Sequence, residues 1–240
     1  MKNYVKHHEG EKMNRSVVWL ATLLLLTAYS TAYAGYDEGV AALNRGEYIS
    51  AYNEFKVLAE QGDARAQNRV GVMNDIGQGI PQNYSEALKW YRKAAEQGVI
   101  DAQYNLGLMY ILGKGVAQDP SEALKWLRKA AEQGQPRAQN TLGYMHATGQ
   151  IVPQDYAEAE KWYRNAAIRG YAPAQCNLGL MYLNGQGVNQ DLVLAHMWFN
   201  LAVTGGYADA QKWRDTAAAK MAPSQLAEAQ RLATEWYIKK

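Results

Sequence analysis

Apolar residues recur along this chain at the spacing of an amphipathic α-helix, in segments that end at glycine. In the stretch SEALKWYRKAAEQG (85–98), Ala87, Trp90, Tyr91 and Ala94 lie at i, i+3, i+4 and i+7 and form one stripe on a helix. The polar residues between them fall on the other faces. The pattern predicts a helix that buries one face and ends at the glycine.

A second helical pattern precedes each of these segments. Leu106, Met109 and Tyr110 share one stripe, and Gly113 follows at the place where a left-handed C-cap would end the helix. The sequence therefore predicts hairpins of two antiparallel helices. We call the two members of each hairpin its first and its second helix.

The second helices begin with a capping pattern. Asp119 and Glu122 have the spacing of a capping box, in which the aspartate accepts from free backbone N–H groups and the glutamate reaches back. Pro120 lies at the first helical position, where its missing N–H is harmless. Because one hairpin cannot bury both of its faces, the hairpins must stack, and we predict an all-α solenoid.

The hairpin repeats with a period of 36 residues. Segment 121–134 matches segment 85–98 at thirteen of fourteen positions. The same period holds at Gly71, Gly107, Gly143 and Gly179 and at Trp90, Trp126, Trp162 and Trp198. The period predicts four repeat units, at residues 63–98, 99–134, 135–170 and 171–206.

The amino-terminal 34 residues differ in composition from the rest of the chain. A polar, cation-rich head precedes the apolar run 17–26, and Ala32 and Ala34 form the A-x-A pattern of a signal peptidase site. We expect residues 1–34 to be a signal peptide that is cleaved after Ala34. The alternative is an uncleaved membrane anchor.

Charge and cysteine usage narrow the possible partners. Removal of the signal peptide takes four of the 25 Lys and Arg residues and two of the 23 Asp and Glu residues, so the remaining chain is neutral. A neutral chain lacks the charge typical of binding to nucleic acid or anionic lipid, so we expect no nucleic acid and no stable membrane anchoring after cleavage. Cys176 has no second cysteine with which to form a disulfide. From the predicted signal peptide we expect a periplasmic or secreted protein.

The motif of residues 102–134, AQYNLGLMYILGKGVAQDPSEALKWLRKAAEQG, closely resembles the Sel-1-like repeat, a relative of the tetratricopeptide motif. Residues 35–62 look like a tetratricopeptide-like opening hairpin, and residues 207–240 resemble the capping helices found on such arrays. The resemblance implies a right-handed, tetratricopeptide-like α-solenoid of antiparallel helical hairpins. It also implies a non-catalytic scaffold for protein–protein interaction, as an adaptor or regulator in the cell envelope.

The residues that carry chemistry in other proteins have structural explanations in this chain. His146 replaces a packing tyrosine, His196 lies beside packing residues, and Cys176 is interpreted as a buried or groove-lining thiol. The sequence contains no H-E-x-x-H, paired-cysteine, G-x-S-x-G or Walker-type motif, so we predict no enzymatic activity, no metal and no cofactor. The competing hypothesis is weak hydrolysis of β-lactam or cell-wall substrates, as described for a cysteine-rich branch of the resembled family. This chain lacks the cysteine pairs of that branch.

The first helices of such arrays line a concave surface, which we predict to bind another protein or a peptide. When the groove positions of tetratricopeptide repeats are transferred to the four repeats, they fall on side chains that are more apolar than those of a solvated face. They are Asn68, Val72 and Asp75; Tyr104, Leu108 and Ile111; Asn140, Tyr144 and Ala147; and Leu180, Leu183 and Asn184. The alternative is that neighbouring helices bury these side chains through the curvature of the array.

Overall fold

The computed structural model describes residues 35–238, which form helices and turns without any strand. The signal peptide predicted for residues 1–34, with its cleavage site after Ala34, lies outside the described residues. The chain divides into two compact units, and the described parts of these units are residues 35–82 and 83–238.

Twelve helices follow one another within the described residues, which confirms the predicted all-α class. The first unit contains α1 (35–44), α2 (Tyr48–Glu60) and α3 (Ala64–Ile76). The second unit contains α4 (Tyr84–Glu96), α5 (Ile100–Leu112), α6 (Pro120–Glu132), α7 (Pro136–Thr148), α8 (Tyr156–Ala167), α9 (Ala172–Asn184), α10 (Leu192–Thr204), α11 (Ala210–Ala218) and α12 (Pro223–Ile238).

The helices begin and end where local chemistry places their boundaries. The Asp119 carboxylate accepts from the backbone N–H groups of Ser121 and Glu122 at 2.9 and 3.0 Å, which satisfies donors that the helix itself leaves free. Gly113 ends α5 with φ of 67°, a left-handed conformation that suits a residue without Cβ. The predicted aspartate cap and the predicted glycine stop are both confirmed.

The glutamate of the capping pattern has a different role from the one that we predicted. Glu122 accepts from the indole Nε1 of Trp126 at 3.0 Å and from Nζ of Lys125 at 2.7 Å. The N–H of Asp119, which the glutamate was expected to reach, donates instead to the carbonyl of Tyr110 at 3.1 Å. The glutamate therefore orients the tryptophan, and the backbone N–H of the N-cap residue is bonded by the first helix of the same hairpin.

A buried glutamine joins each first helix to the second helix before it. In the second unit Gln103, Gln139 and Gln175 donate through Nε2 to the carbonyls of Ala95, Ala131 and Ala167 at 3.3, 2.9 and 3.2 Å. In the first unit Gln67 donates to Ala59 at 3.1 Å. These carbonyls lie in the last turn of a helix, where no intrahelical N–H is left to bond them. The bond explains why an Ala-Gln pair opens every repeat.

A glycine in the middle of each first helix of the second unit lets two helices approach closely. A Cβ added at Gly107, Gly143 or Gly179 would lie 2.6 to 2.8 Å from the side chain of Leu127, Tyr163 or Phe199. That distance is too short for real carbon atoms, so these glycines are needed for packing rather than for backbone conformation.

Consecutive helices from α4 to α11 pack on one another, and α12 packs against α10. Short apolar residues and the large side chains of the repeat fill a continuous core in the last two repeats. None of the described helices combines the length and the apolar composition needed to cross a bilayer.

Candidate functional site

The first helices α5, α7 and α9 of the second unit lie side by side and share one face. Asp101 of α5 accepts from Nε2 of Gln135, which precedes α7, at 2.7 Å. Asn177 of α9 donates through Nδ2 to Oδ1 of Asn140 of α7 at 2.9 Å. These bonds bring α5 next to the start of α7, and α7 next to α9. We call the side chains at positions 104, 108, 111 and 112, and at the equivalent positions of α7 and α9, the first-helix face.

Large apolar side chains reach solvent on this face. Leu112 is 55% exposed and Tyr144 is 49% exposed, while Tyr104 and Leu108 are half-buried. Single exposed apolar residues are common on proteins, but these lie along one stripe, since residues 104, 108 and 112 are each one helical turn apart. The face can therefore bury apolar surface of a partner.

The other predicted groove residues of the second unit have mixed environments. Ile111, Ala147 and Leu180 are half-buried and pack against the core, so only part of each side chain is available. Leu183 is 4% exposed and belongs to the core. Its assignment to the groove is wrong, because a side chain that lies in the core presents almost no surface to a partner.

Two members of the first-helix face were not among the predicted groove residues. Asn184 is exposed as predicted, but the equivalent residues one and two repeats earlier, Thr148 and Leu112, are exposed too. Asn177, whose amide bonds Asn140, lies beside the face and was not predicted either. The period of 36 residues was the signal that could have identified Thr148 and Leu112.

The predicted groove residues of the first unit lie on α3. Asn68, Val72 and Asp75 are half-buried, and Oδ1 of Asn68 has no hydrogen-bond partner within the described residues. The carbonyl of Asp75 accepts from Nε2 of Gln82 at 2.6 Å, which fixes the loop after α3. These three residues form a partly accessible patch within their own unit.

The reactive side chains of the second unit are buried. Cys176 is 3% exposed, and burial raises the pKa of its thiol to about 11, so the thiol is neutral near pH 7. His196 is 4% exposed, and burial lowers its pKa. His146 is 8% exposed, and neither of its ring nitrogens has a partner within the described residues. Residues 35–238 contain no group of three His, Cys, Asp or Glu side chains placed to hold a metal ion.

A pocket of about 490 Å³ lies between α8, α10 and α12. Trp198 and Trp236 form its apolar wall, with ring centroids 5.0 Å apart and an interplanar angle of 67°. Arg164 and Glu235 supply its charged groups. The pocket lies among second helices rather than on the first-helix face, and the sequence pattern did not indicate it.

The sequence matches the Sel1 repeat family at residues 64–99, 100–135, 136–171 and 172–207. These matches begin one residue after the repeat units that the period predicted. No curated protein matches the chain.

Solved structures of Sel1 repeat proteins have the same fold. The chain is 33% identical to the Sel1 repeat protein from Oxalobacter formigenes, with a TM-score of 0.71, over 85% of this chain and 100% of that chain. It is also 33% identical, with a TM-score of 0.75, to c5321, a protective antigen present in uropathogenic Escherichia coli strains, over 87% of this chain and 46% of that chain. This chain thus spans less than half of the antigen. The immunity protein Pa5087 from Pseudomonas aeruginosa, at 23% identity and a TM-score of 0.53 over 86% of this chain and 80% of that chain, shares the fold alone.

Proposed function

This chain belongs to the Sel1 repeat family, and we propose that it is a non-catalytic, exported scaffold that binds another protein through its first-helix face. Sel1 repeat arrays are scaffolds that generally bind other proteins. We further propose that this chain acts in the cell envelope as an adaptor or regulator.

The observation that carries the proposal is the exposure of large apolar side chains on the first-helix face. The side chains of Leu112 and Tyr144 are about half exposed to water, whereas the repeated tryptophan Trp126 is only 6% exposed and serves packing. Apolar surface kept in water on one stripe is a feature of partner-binding surfaces. The buried thiol and imidazoles described above supply no accessible nucleophile or base that would support catalysis.

The proposed export rests on the amino-terminal sequence. The apolar run 17–26 is shorter than the span of about 20 residues that a transmembrane helix needs, and the A-x-A pattern follows it. We propose that the protein is released into the periplasm, or beyond it, with Gly35 as its first residue. Cell fractionation followed by amino-terminal sequencing tests this. A chain that retains residues 1–34 in the membrane fraction would contradict it.

The binding proposal is tested by affinity capture with matched surface variants. The protein is immobilised as wild type, as Leu112→Glu, as Tyr144→Glu and as the control Arg128→Glu. Leu112 and Tyr144 are exposed, so a carboxylate there disturbs the core little, and Arg128 is an exposed residue of α6 away from this face.

We expect proteins that wild type and Arg128→Glu retain and that both first-helix variants lose. Circular dichroism melts verify that all four proteins are folded. Retention of the same proteins by all four would show that binding does not use this face. A purified protein that hydrolyses β-lactam or cell-wall substrates would contradict the non-catalytic assignment.

A further inference from the structure

The pocket between α8, α10 and α12, which we call the tryptophan pocket, lies where the fourth repeat departs from the other three. In the second repeat Glu122 and Lys125 form an ion pair on α6, and the same pair recurs in the first and third repeats. The equivalent residues of the fourth repeat are Leu194 and Met197, and both line the pocket. Helix α10 carries no Asp, Glu, Lys or Arg residue. The charged side chains of the other second helices are therefore replaced by apolar ones at this pocket.

The rim of the tryptophan pocket shows the same replacement. Ile168 follows the last turn of α8, lines the pocket and is 42% exposed. The equivalent residues of the first and second repeats are Glu96 and Glu132. Packing does not require an apolar residue at a position that is so exposed. Three positions that are charged in earlier repeats are thus apolar where they meet at one pocket.

Helix α12 covers part of this apolar surface and leaves a cavity. It packs against α10, and its residues Leu232 and Trp236 lie against the core. The space that remains has a volume of about 490 Å³. This volume is within the range of about 300–1,000 Å³ that is usual for small-molecule sites. The pocket therefore has room for a small molecule with an apolar body.

The replacement of the glutamate also leaves an indole donor without its acceptor. In the second repeat Glu122 accepts from Nε1 of Trp126 at 3.0 Å. Trp198 is the equivalent tryptophan, and Leu194 occupies the place of the glutamate. Nε1 of Trp198 has no hydrogen-bond partner within residues 35–238, and it is not sealed from water although the side chain is only 3% exposed. This N–H is available to a ligand in the pocket.

Arg164 supplies further donors. Its Nε donates to Glu160, and its Nη2 donates to the hydroxyl of Tyr182 at 2.7 Å. These two bonds fix the guanidinium at the wall of the pocket. Nη1 makes no bond to any of the described residues. An arginine held in this way can donate to an oxygen of a bound acid.

The carboxylates near the pocket already have cationic partners. Glu235 of the lining pairs with Arg231, which also pairs with Glu228, and Glu160 pairs with Arg164. Helices α9 and α10 contribute no charged residue. The lining groups that lack a partner in the described part of the chain are therefore N–H donors, and an anionic oxygen matches them.

We propose that the tryptophan pocket binds a small amphipathic acid. Its apolar body lies against Trp198, Met197 and Leu232, and its carboxylate accepts from the unpartnered N–H groups of Trp198 and Arg164. The site is formed by second helices and α12, so it is separate from the first-helix face. This inference does not depend on the proposed function.

The test is isothermal titration calorimetry of the purified protein near pH 7, where carboxylates are ionised. The ligands are phenylacetate, 1-naphthaleneacetate and decanoate, each compared with its methyl ester, which has the same body without the charge. We expect at least one acid to bind at one site per chain with a Kd below about 1 mM. We expect its ester to bind about tenfold more weakly or less tightly still, because hydrogen bonds to a charged group are lost.

Variants that restore residues of the earlier repeats locate the site. Ile168→Glu and Leu194→Glu should each weaken the acid by about tenfold or more, because a carboxylate at the pocket repels that of the ligand. Ile168 is exposed, so its replacement disturbs the core little. Arg164→Gln should weaken the acid similarly, whereas the matched control Arg128→Gln, one repeat earlier, should leave its affinity unchanged. Circular dichroism melts verify that each variant is folded.

Trp198→Phe tests the indole donor separately from the apolar wall. The variant keeps an aromatic ring and removes Nε1, so it should weaken the acid by about fivefold and leave the ester unchanged. An equal loss for acid and ester would overturn the role of the N–H. Acid and ester of equal affinity would overturn the acidic ligand. Unchanged affinity in Ile168→Glu and Leu194→Glu, or no binding of any of the three acids, would overturn the site.

Discussion

Replacement of His146 by tyrosine should stabilise the third repeat, because the repeats on either side show what the position is built for. Tyr110 and Tyr182 each accept a hydrogen bond through their hydroxyl from an arginine of the preceding second helix, Arg92 and Arg164, at 2.7 Å. His146 is the equivalent residue, and neither ring nitrogen has a partner in the described residues. The shorter imidazole leaves both partners without the bond that the neighbouring repeats make.

The expected gain follows from two contributions. An unpartnered buried polar group costs about 1–3 kcal/mol, and tyrosine at this site would remove that cost. A new hydrogen bond to Arg128, whose side chain is exposed, should add about 1 kcal/mol or less because water screens it. Together they give about 2 kcal/mol, which corresponds to a rise in melting temperature of about 4–8 °C for a chain of this size.

The assay is thermal and denaturant unfolding followed by circular dichroism, for wild type, His146→Tyr, Arg128→Met and the double variant. Arg128→Met should change the stability of wild type little, since Arg128 makes no bond within the described residues. It should remove the arginine-dependent part of the gain from His146→Tyr, with a coupling of about 1 kcal/mol. No increase in stability, or an increase that Arg128→Met leaves intact, would refute the reasoning from the neighbouring repeats.

Three further predictions concern packing and burial. Gly143→Ala should destabilise the protein by about 1–3 kcal/mol, because a Cβ there would lie 2.6 Å from the ring of Tyr163; a melt as stable as wild type would show that the helices can separate without cost. Arg169→Gln should raise the free energy of unfolding by about 1 kcal/mol in chemical denaturation. The equivalent residue one repeat earlier, Gln133, donates to Oε1 of the buried Gln103 at 2.8 Å, whereas the equivalent acceptor, Oε1 of Gln139, has no partner in the described residues. Burial raises the pKa of the Cys176 thiol from 9.0 to about 11. The stability that this shift contributes is therefore present below pH 9 and is lost as pH rises to 11, by at most about 1.4 kcal/mol per pH unit. Cys176→Ala should lack this loss, and equal pH profiles of the two proteins would contradict the prediction.

Local patterns in the sequence were sufficient to predict the repeat and the boundaries of its helices. Caps such as Asp119 and stops such as Gly113 act within a few residues of chain, so their effect can be predicted without the fold. The 36-residue period was equally visible, and it agrees to within one residue with the matched Sel1 repeats. The predicted groove could be placed on the first helices for the same reason, since the helical stripe depends only on spacing.

Contacts between helices decided which predicted side chains are available. Leu183 has the same place in its helix as Ile111, yet Leu183 is buried in the core of the last two repeats whereas Ile111 is half-buried. Glu122 has the spacing of a capping-box residue, yet it binds Trp126 because the Asp119 N–H is already bonded to the Tyr110 carbonyl. The sequence by itself determined the helices and their period through interactions between near neighbours. Burial, the Asn140–Asn177 pair and the unpartnered His146 depend on residues that are distant in the chain, and only the tertiary structure decided them.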